Sequence, residues 1–121
     1  LAKQDFVLSK IKKDNKDKYF LLKVYKKNNK YLLVKNRNFN FLKNFNIFPM
    51  QELTRPKNFN QNLSFKLSNM NMNIKIKNDK MIKPIPFSYW IDPKKLKNYT
   101  LPTFTKKIVT YLEKHKWKKL Q

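Results

Sequence analysis

The stretch Asn62 to Lys77, NLSFKLSNMNMNIKIK, alternates apolar and polar residues in two phases. Leu63, Phe65 and Leu67 carry the first phase, and Met70, Met72, Ile74 and Ile76 carry the second. Successive side chains of a strand point to opposite faces, so the pattern specifies β-structure with one dry and one wet face. The wet face holds Ser64, Lys66, Asn71, Asn73, Lys75 and Lys77, with no carboxylate. The slip at Ser68-Asn69 leaves two readings, a β-bulge in one strand or a two-residue turn between two. A turn sets Leu67 opposite Met70, Phe65 opposite Met72 and Leu63 opposite Ile74, so every apolar residue meets an apolar partner. It also sets Lys66 opposite Asn71, Ser64 opposite Asn73 and Asn62 opposite Lys75, so no two lysines face one another. Cross-strand pairing therefore favours the hairpin, while the lack of a turn glycine opposes it.

That lack is general, because the chain contains no glycine at all. Left-handed turn positions then fall to Asn and Asp, whose short side chains bond locally. The places to expect them are Asn28-Asn29, Asn69 and Asn78-Asp79.

Around the hairpin the 121 residues suit one domain with a modest core. Residues 1–38 read as an N-terminal meander: a strand from Asp5 to Lys12, a turn at Lys13 to Asp17, and strands Tyr19–Lys26 and Tyr31–Asn36. A three-residue loop Lys27 to Asn29 would pair Tyr25 with Tyr31, Val24 with Leu32 and Leu22 with Val34. Residues 39–58 form a Phe/Asn-rich connection of ambiguous period. Phe41, Phe45 and Phe48 fit a helix face and Phe39-Asn40-Phe41 a strand, so helix and irregular segment both stay open until Pro49. Residues 59–83 hold the hairpin. In 84–100 an extended strap, Pro84 to Ile91, precedes a short helix with Asp92 as N-cap and Pro93 at its first position. Residues 101–121 give a helix capped by Thr103, with Phe104, Ile108, Tyr111, Leu112 and His115 on one face. The expected class is α+β: antiparallel hairpins in a meander, with a C-terminal amphipathic helix packed on one sheet face, the apolar face of the hairpin.

The chemistry is thin. One histidine, no cysteine and seven scattered carboxylates offer neither a triad nor a thiolate metal site. Glu113 and His115 are two apart on a helix and do not face each other. Asp14 and Asp17, the close acidic pair, are flanked by lysines and read as a solvated turn rather than a metal site. Without glycine there is no phosphate-cradling loop of the Walker or Rossmann kind. No enzyme activity, cofactor or metal is expected, and no run approaches the roughly 20 apolar residues that cross a bilayer.

What remains is charge. Twenty-nine Lys and Arg against seven Asp and Glu leave a net +22, far beyond the magnitude of about 2–8 usual for a small domain. Such a chain repels itself until it meets a polyanion. The candidate RNA-binding residues run along the whole chain: Lys12 and Lys13; Lys26, Lys27, Lys30, Lys35 and Arg37; Arg55 and Lys57; Lys66, Asn71, Asn73 and Lys75. They continue with Lys94 and Lys95, then Lys106, Lys107, Lys114, Trp117 and Lys118. In an ideal helix Trp117 points away from the apolar face, so it either ends the helix or projects among lysines. Aromatics interleaved with bases, as in Asn36 to Phe48 and at Tyr89-Trp90, suit stacking on unpaired bases, although many of these rings also suit a core. Lysine in place of arginine favours contact with the phosphate backbone over reading of sequence.

The residue bias points to a source. Twenty-seven Lys, 16 Asn, 10 Phe, 8 Ile and 6 Tyr beside a single Ala favour A/T-rich codons, as in organelle genomes. The start at Leu1 implies a processed or incomplete beginning. Asp5, Asp14 and Asp17 argue against a transit peptide despite Lys3, Lys10, Lys12 and Lys13. With tracts such as Lys12-Lys13-Asp14-Asn15-Lys16 and Lys114-His115-Lys116-Trp117-Lys118-Lys119, the chain resembles an organelle-encoded, mitochondrial ribosomal protein. The resemblance spans the chain and is compositional. It implies a structural constituent of a mitochondrial ribosome in the matrix, with rRNA and neighbouring ribosomal proteins as partners and no small-molecule substrate. A free DNA- or RNA-binding accessory protein and a peripheral basic subunit of a membrane complex are the alternatives.

Overall fold

The computed structural model describes residues 16–81 and 83–119, with side chains as far as His115. The fold is mixed α+β, with two four-stranded sheets and a C-terminal helix. The described residues divide into two compact units, 16–22 with 50–77 and 23–49 with 78–81 and 83–119. The strand expected at Asp5 to Lys12 lies outside the described residues.

The first unit is built on the opening hairpin, β6 (Leu63–Leu67) and β7 (Met70–Asn78). Its register is the one the alternation dictates, with Leu63 opposite Ile74, Phe65 opposite Met72 and Leu67 opposite Met70. Asn62 closes the open end: its N–H donates to Ile74 O, and its Oδ1 accepts from Ile76 N, each at 2.7 Å. Met72 and Ile74 are fully buried, as are Phe20 and Leu22 of β1 (Lys16–Val24). The sheet order is β5-β1-β7-β6, with β5 (Met50–Leu53) antiparallel to β1 from Tyr19↔Leu53 to Leu22↔Met50. β1 and β7 run in the same direction, since Lys16 N donates to Asn69 O at one end and Asp79 N to Val24 O at the other. Lys16 and Asp17, expected in a turn, therefore belong to β1.

The turn itself differs from expectation. Ser68, not Asn69, takes the left-handed backbone, at φ 57°, and Asn78-Asp79 does not take it. A positive φ at the first central residue is the demand of a type II′ hairpin turn, where glycine is usual. Ser68→Gly is therefore expected to raise stability by about 1 kcal/mol, the order of the cost of a left-handed non-glycine residue. Thermal melting should shift upward by a few degrees; an unchanged or lower midpoint would show that Ser68 bears no such cost.

The second unit centres on β3 (Lys30–Lys35), in which Tyr31, Leu32 and Leu33 are all buried, the mark of a strand covered on both faces. On one edge lie β2 (Lys26–Lys27) and β4 (Asn46–Ile47), and on the other β8 (Ser88–Ile91). The β2–β3 turn has two residues rather than three: Lys27 faces Lys30 and Lys26 faces Tyr31. Asn28 and Asn29 both take positive φ, 52° and 62°, as a two-residue type I′ turn requires, and this displaces the Tyr25–Tyr31 register. The strap of Pro84 to Ile91 is a turn followed by β8, which pairs antiparallel along β3. Residues 38–44 are irregular bends and turns, so Phe41, Phe45 and Phe48 share no helix face. Asn36 organises this loop. Its Nδ2 donates to Phe41 O and Leu42 O, and its Oδ1 accepts from Phe39 N.

Asp92 caps the 3-10 helix Pro93–Asn98 by accepting from Lys94 N at 3.0 Å, with proline leading the helix. Helix α1 (Thr103–Lys119) continues past Trp117. Thr103 is its first turn rather than its cap, since Pro102 O already accepts from Lys106 N. Phe104, Ile108 and Leu112 are buried as expected, joined by Thr105 and Val109. The helix, expected on the β6–β7 hairpin, is tethered to the sheet of its own unit. Thr105 Oγ1 donates to Asn46 O at 2.7 Å, and Tyr31 Oη donates to Glu113 Oε2 at 2.6 Å. Eight residues of helix separate those tethers by about 12 Å, enough to fix its direction. Burial first, and then the bond to Glu113, push the Tyr31 hydroxyl pKa far above its ordinary value.

Candidate nucleic-acid interface

In the first unit, the wet face of the hairpin exposes Lys66, Lys75 and Lys77. Asn71 and Asn73, expected to face a ligand, are turned to β1 instead. Asn71 Nδ2 donates to Asp17 Oδ1 and Asn73 Nδ2 to Lys18 O, both at 3.2 Å. They tie the parallel pair together. Arg55 and Lys57 are exposed in the loop that follows β5. A cavity of about 700 Å³ there is lined by residues that include Lys16, Lys18, Tyr19, Glu52 and Arg55. Lys18 and Glu52 form an ion pair at 3.4 Å. Exposed as it is, that pair is worth little.

In the second unit, Lys26, Lys27 and Lys30 crowd the tip of the β2–β3 hairpin, all exposed. Like charges directly opposite on a sheet destabilise it, and Lys27 with Lys30 is such a pair. Lys26 Nζ lies 5.6 Å from the centroid of the Tyr31 ring, within cation–π range. Two depressions of about 270 and 340 Å³ share Tyr25, Asp79, Lys80 and Met81. The first adds Lys26, Lys27 and Trp90, and the second adds Lys23, Lys83 and Ile85. Five lysines thus surround an aromatic floor that holds one carboxylate. Burial, then Asp79, raise the pKa of the Tyr25 hydroxyl, which keeps it a neutral donor. Lysines 23, 80 and 83 and Tyr25 were not singled out from the sequence, because their meeting depends on the end of β7 returning to the end of β1.

The other expected residues are spread more widely. Lys35 is exposed at the end of β3, and the Arg37 guanidinium lies 4.6 Å from the Phe87 ring centroid. Lys94 and Lys95 are exposed on the 3-10 helix. Lys106, Lys107 and Lys114 occupy the face of α1 opposite Phe104, Ile108 and Leu112. Lys12, Lys13 and the side chains of Trp117 and Lys118 lie outside the described residues. His115 Nδ1 is 2.8 Å from Tyr111 O, and its ring stacks near Tyr111, so it is engaged within its own helix. Among the described residues no three of His, Cys, Asp and Glu gather as a metal site. No described helix is long and apolar enough to cross a membrane.

No protein-family model and no curated protein sequence matches the chain. Among solved structures it is similar in fold to the C-terminal domain of mouse MUTYH, in a complex with human PCNA. The two share 16% sequence identity at a TM-score of 0.57, over 82% of this chain and 89% of that one, a likeness of fold alone.

Proposed function

We propose that the chain is a non-catalytic nucleic-acid-binding domain that works as an accessory module and grips the phosphate backbone. The observation that carries this reading is the cationic tip and its flank, Lys26, Lys27 and Lys30 beside Lys23, Lys80 and Lys83, with Asp79 as the one acid. A fold that sets Lys27 against Lys30 gains from a phosphate laid between them and loses without one. Backbone contact through lysine releases counterions and reads little sequence.

The second reading is the mitochondrial ribosome, with rRNA and ribosomal proteins as partners. It is favoured by the exposed lysines that recur on elements of both units, among them Lys66 and Lys75 and also Lys94, Lys95, Lys106 and Lys107. Fluorescence anisotropy with labelled duplex DNA, single-stranded DNA and RNA at low salt should show binding, and no binding to any of them rejects both readings. Fractionation of the source cells separates the two. Release from ribosomal particles in moderate salt, with binding to free nucleic acid retained, supports the accessory module. Co-sedimentation through moderate salt supports the ribosome, and retention on membranes after nuclease treatment rejects both in favour of a membrane complex.

A further inference from the structure

We infer that the C-terminal end of β3 carries a stacking site for unpaired bases, built from Phe87 and Phe45 with Arg37 and Lys35; it rests on the nucleic-acid reading above. Phe87 is 63% exposed and Phe45 46% exposed. The backbone holds both beside the same strand end, since Phe87 O accepts from Lys35 N at 3.0 Å and Phe45 O from Asn36 N at 2.8 Å. One ring stands on each edge of β3, so at normal strand spacing their backbones lie about 10 Å apart. The Arg37 guanidinium covers part of the Phe87 ring and adds a cation to it.

The turn that presents Phe87 is the second observation. Ile85-Pro86-Phe87-Ser88 puts proline before a residue at φ 57°, with Ser88 Oγ donating to Ile85 O. This is the pattern of a type II turn, whose third position takes glycine or asparagine. Elsewhere the chain fills left-handed positions with asparagine at 28, 29, 44 and 58, and with Leu42, Arg55 and Ser68, so no other aromatic ring takes one among the described residues. Here it keeps a bulky ring in a costly conformation and leaves that ring in solvent. Burial does not account for the choice, whereas a ring held out for a planar partner does.

Charge selects the partner. The described acids of this unit gather toward the other end of β3. Glu113 accepts from Tyr31, Asp92 follows Ile91, which faces Tyr31, and Asp79 N bonds to Val24 O, next to the Tyr25 that bonds Leu32. From Tyr31 to Arg37 an extended chain covers about 20 Å. That exceeds the Debye length of about 10 Å at 0.1 M salt, so the ring end has a local field set by Lys35 and Arg37. An aromatic face beside two cations fits a base joined to its phosphate, and single strands are where base faces are free.

The test uses the full chain and single-stranded oligonucleotides with 2-aminopurine among thymines, alongside a duplex of equal length. The wild type should quench 2-aminopurine on binding. Phe87→Asn, which suits the left-handed backbone and so keeps the fold, should lose that quenching. It should also weaken single-strand binding by roughly 10- to 100-fold, with duplex affinity within about 2-fold. Arg37→Gln should weaken quenching and lower the salt slope by about 0.7. Unchanged quenching in Phe87→Asn, or equal losses on single strand and duplex with an unchanged melting temperature, overturns the stacking site. Wild-type protein that binds neither at low salt overturns the nucleic-acid reading itself, which is a different result.

Discussion

Asn36→Ala is expected to destabilise the protein by about 3 kcal/mol, a large share of the roughly 5–15 kcal/mol that holds a domain of this size. Asn36 is 2% exposed and meets three backbone groups of its loop, two carbonyls and one N–H. Its own backbone adds two more bonds, from Asn44 N to its oxygen and from its N–H to Phe45 O. Alanine keeps those two and leaves the three side-chain partners without a bond, at about 1–3 kcal/mol for each that water does not reach. Asn36→Asp should be worse at neutral pH, because a carboxylate would face the carbonyls of Phe41 and Leu42. That environment raises the carboxyl pKa in the fold above its unfolded value. The variant should therefore regain stability as pH falls through the folded pKa. Asn38→Ala, at an exposed position nearby, should change stability by less than about 0.5 kcal/mol. Urea titrations read all three, and a midpoint for Asn36→Ala equal to that of Asn38→Ala would show that the loop holds without its asparagine.

The contrast between Asn36 and the hairpin shows what a sequence makes legible. Alternation is a local code, and from Leu63 to Ile76 each residue states its face; the register followed with every apolar pair in place. The same is true of Asp92-Pro93, where cap and first helical residue are adjacent. Asn36 carries no such mark. It is one asparagine among sixteen, and its role arises from a loop that bends back to it. The β2–β3 turn failed for a related reason. Two- and three-residue loops differ by one step of register, and the choice was made by Asn28 taking the left-handed backbone as well as Asn29. The helix face was legible from its period, but its docking surface was not, because period names a face and never a partner. Thr105 and Glu113 chose the β3–β4 sheet through hydrogen bonds that no spacing encodes. The candidate interface divides in the same way: the lysines were visible, while the gathering of Lys23, Lys80 and Lys83 around Tyr25 required the fold.

Lys27→Glu is expected to make the fold more stable and the nucleic-acid complex weaker. Opposite Lys30 it exchanges a like-charge pair for an opposite-charge one, worth roughly 0.2–1 kcal/mol in favour of the hairpin. Against nucleic acid it removes one phosphate contact and introduces a repulsive charge. Extending the reversal to Lys26→Glu, Lys27→Glu and Lys30→Glu removes three contacts, which should lower the slope of log affinity against log salt on duplex DNA by about 2.7. A protein with six to ten such contacts loses roughly 10³- to 10⁵-fold in affinity between 50 and 200 mM salt, so a change of that size is easily measured. The comparison that decides is the matching reversal of Lys94, Lys95 and Lys97 on the 3-10 helix. An accessory module that grips through the β2–β3 tip should feel the first set far more than the second. A ribosomal protein embedded in folded RNA should feel both about equally, since its contacts are spread. Equal and negligible effects from both sets would place the binding charge elsewhere, and the tip would then be a strained hairpin with no ligand to relieve it.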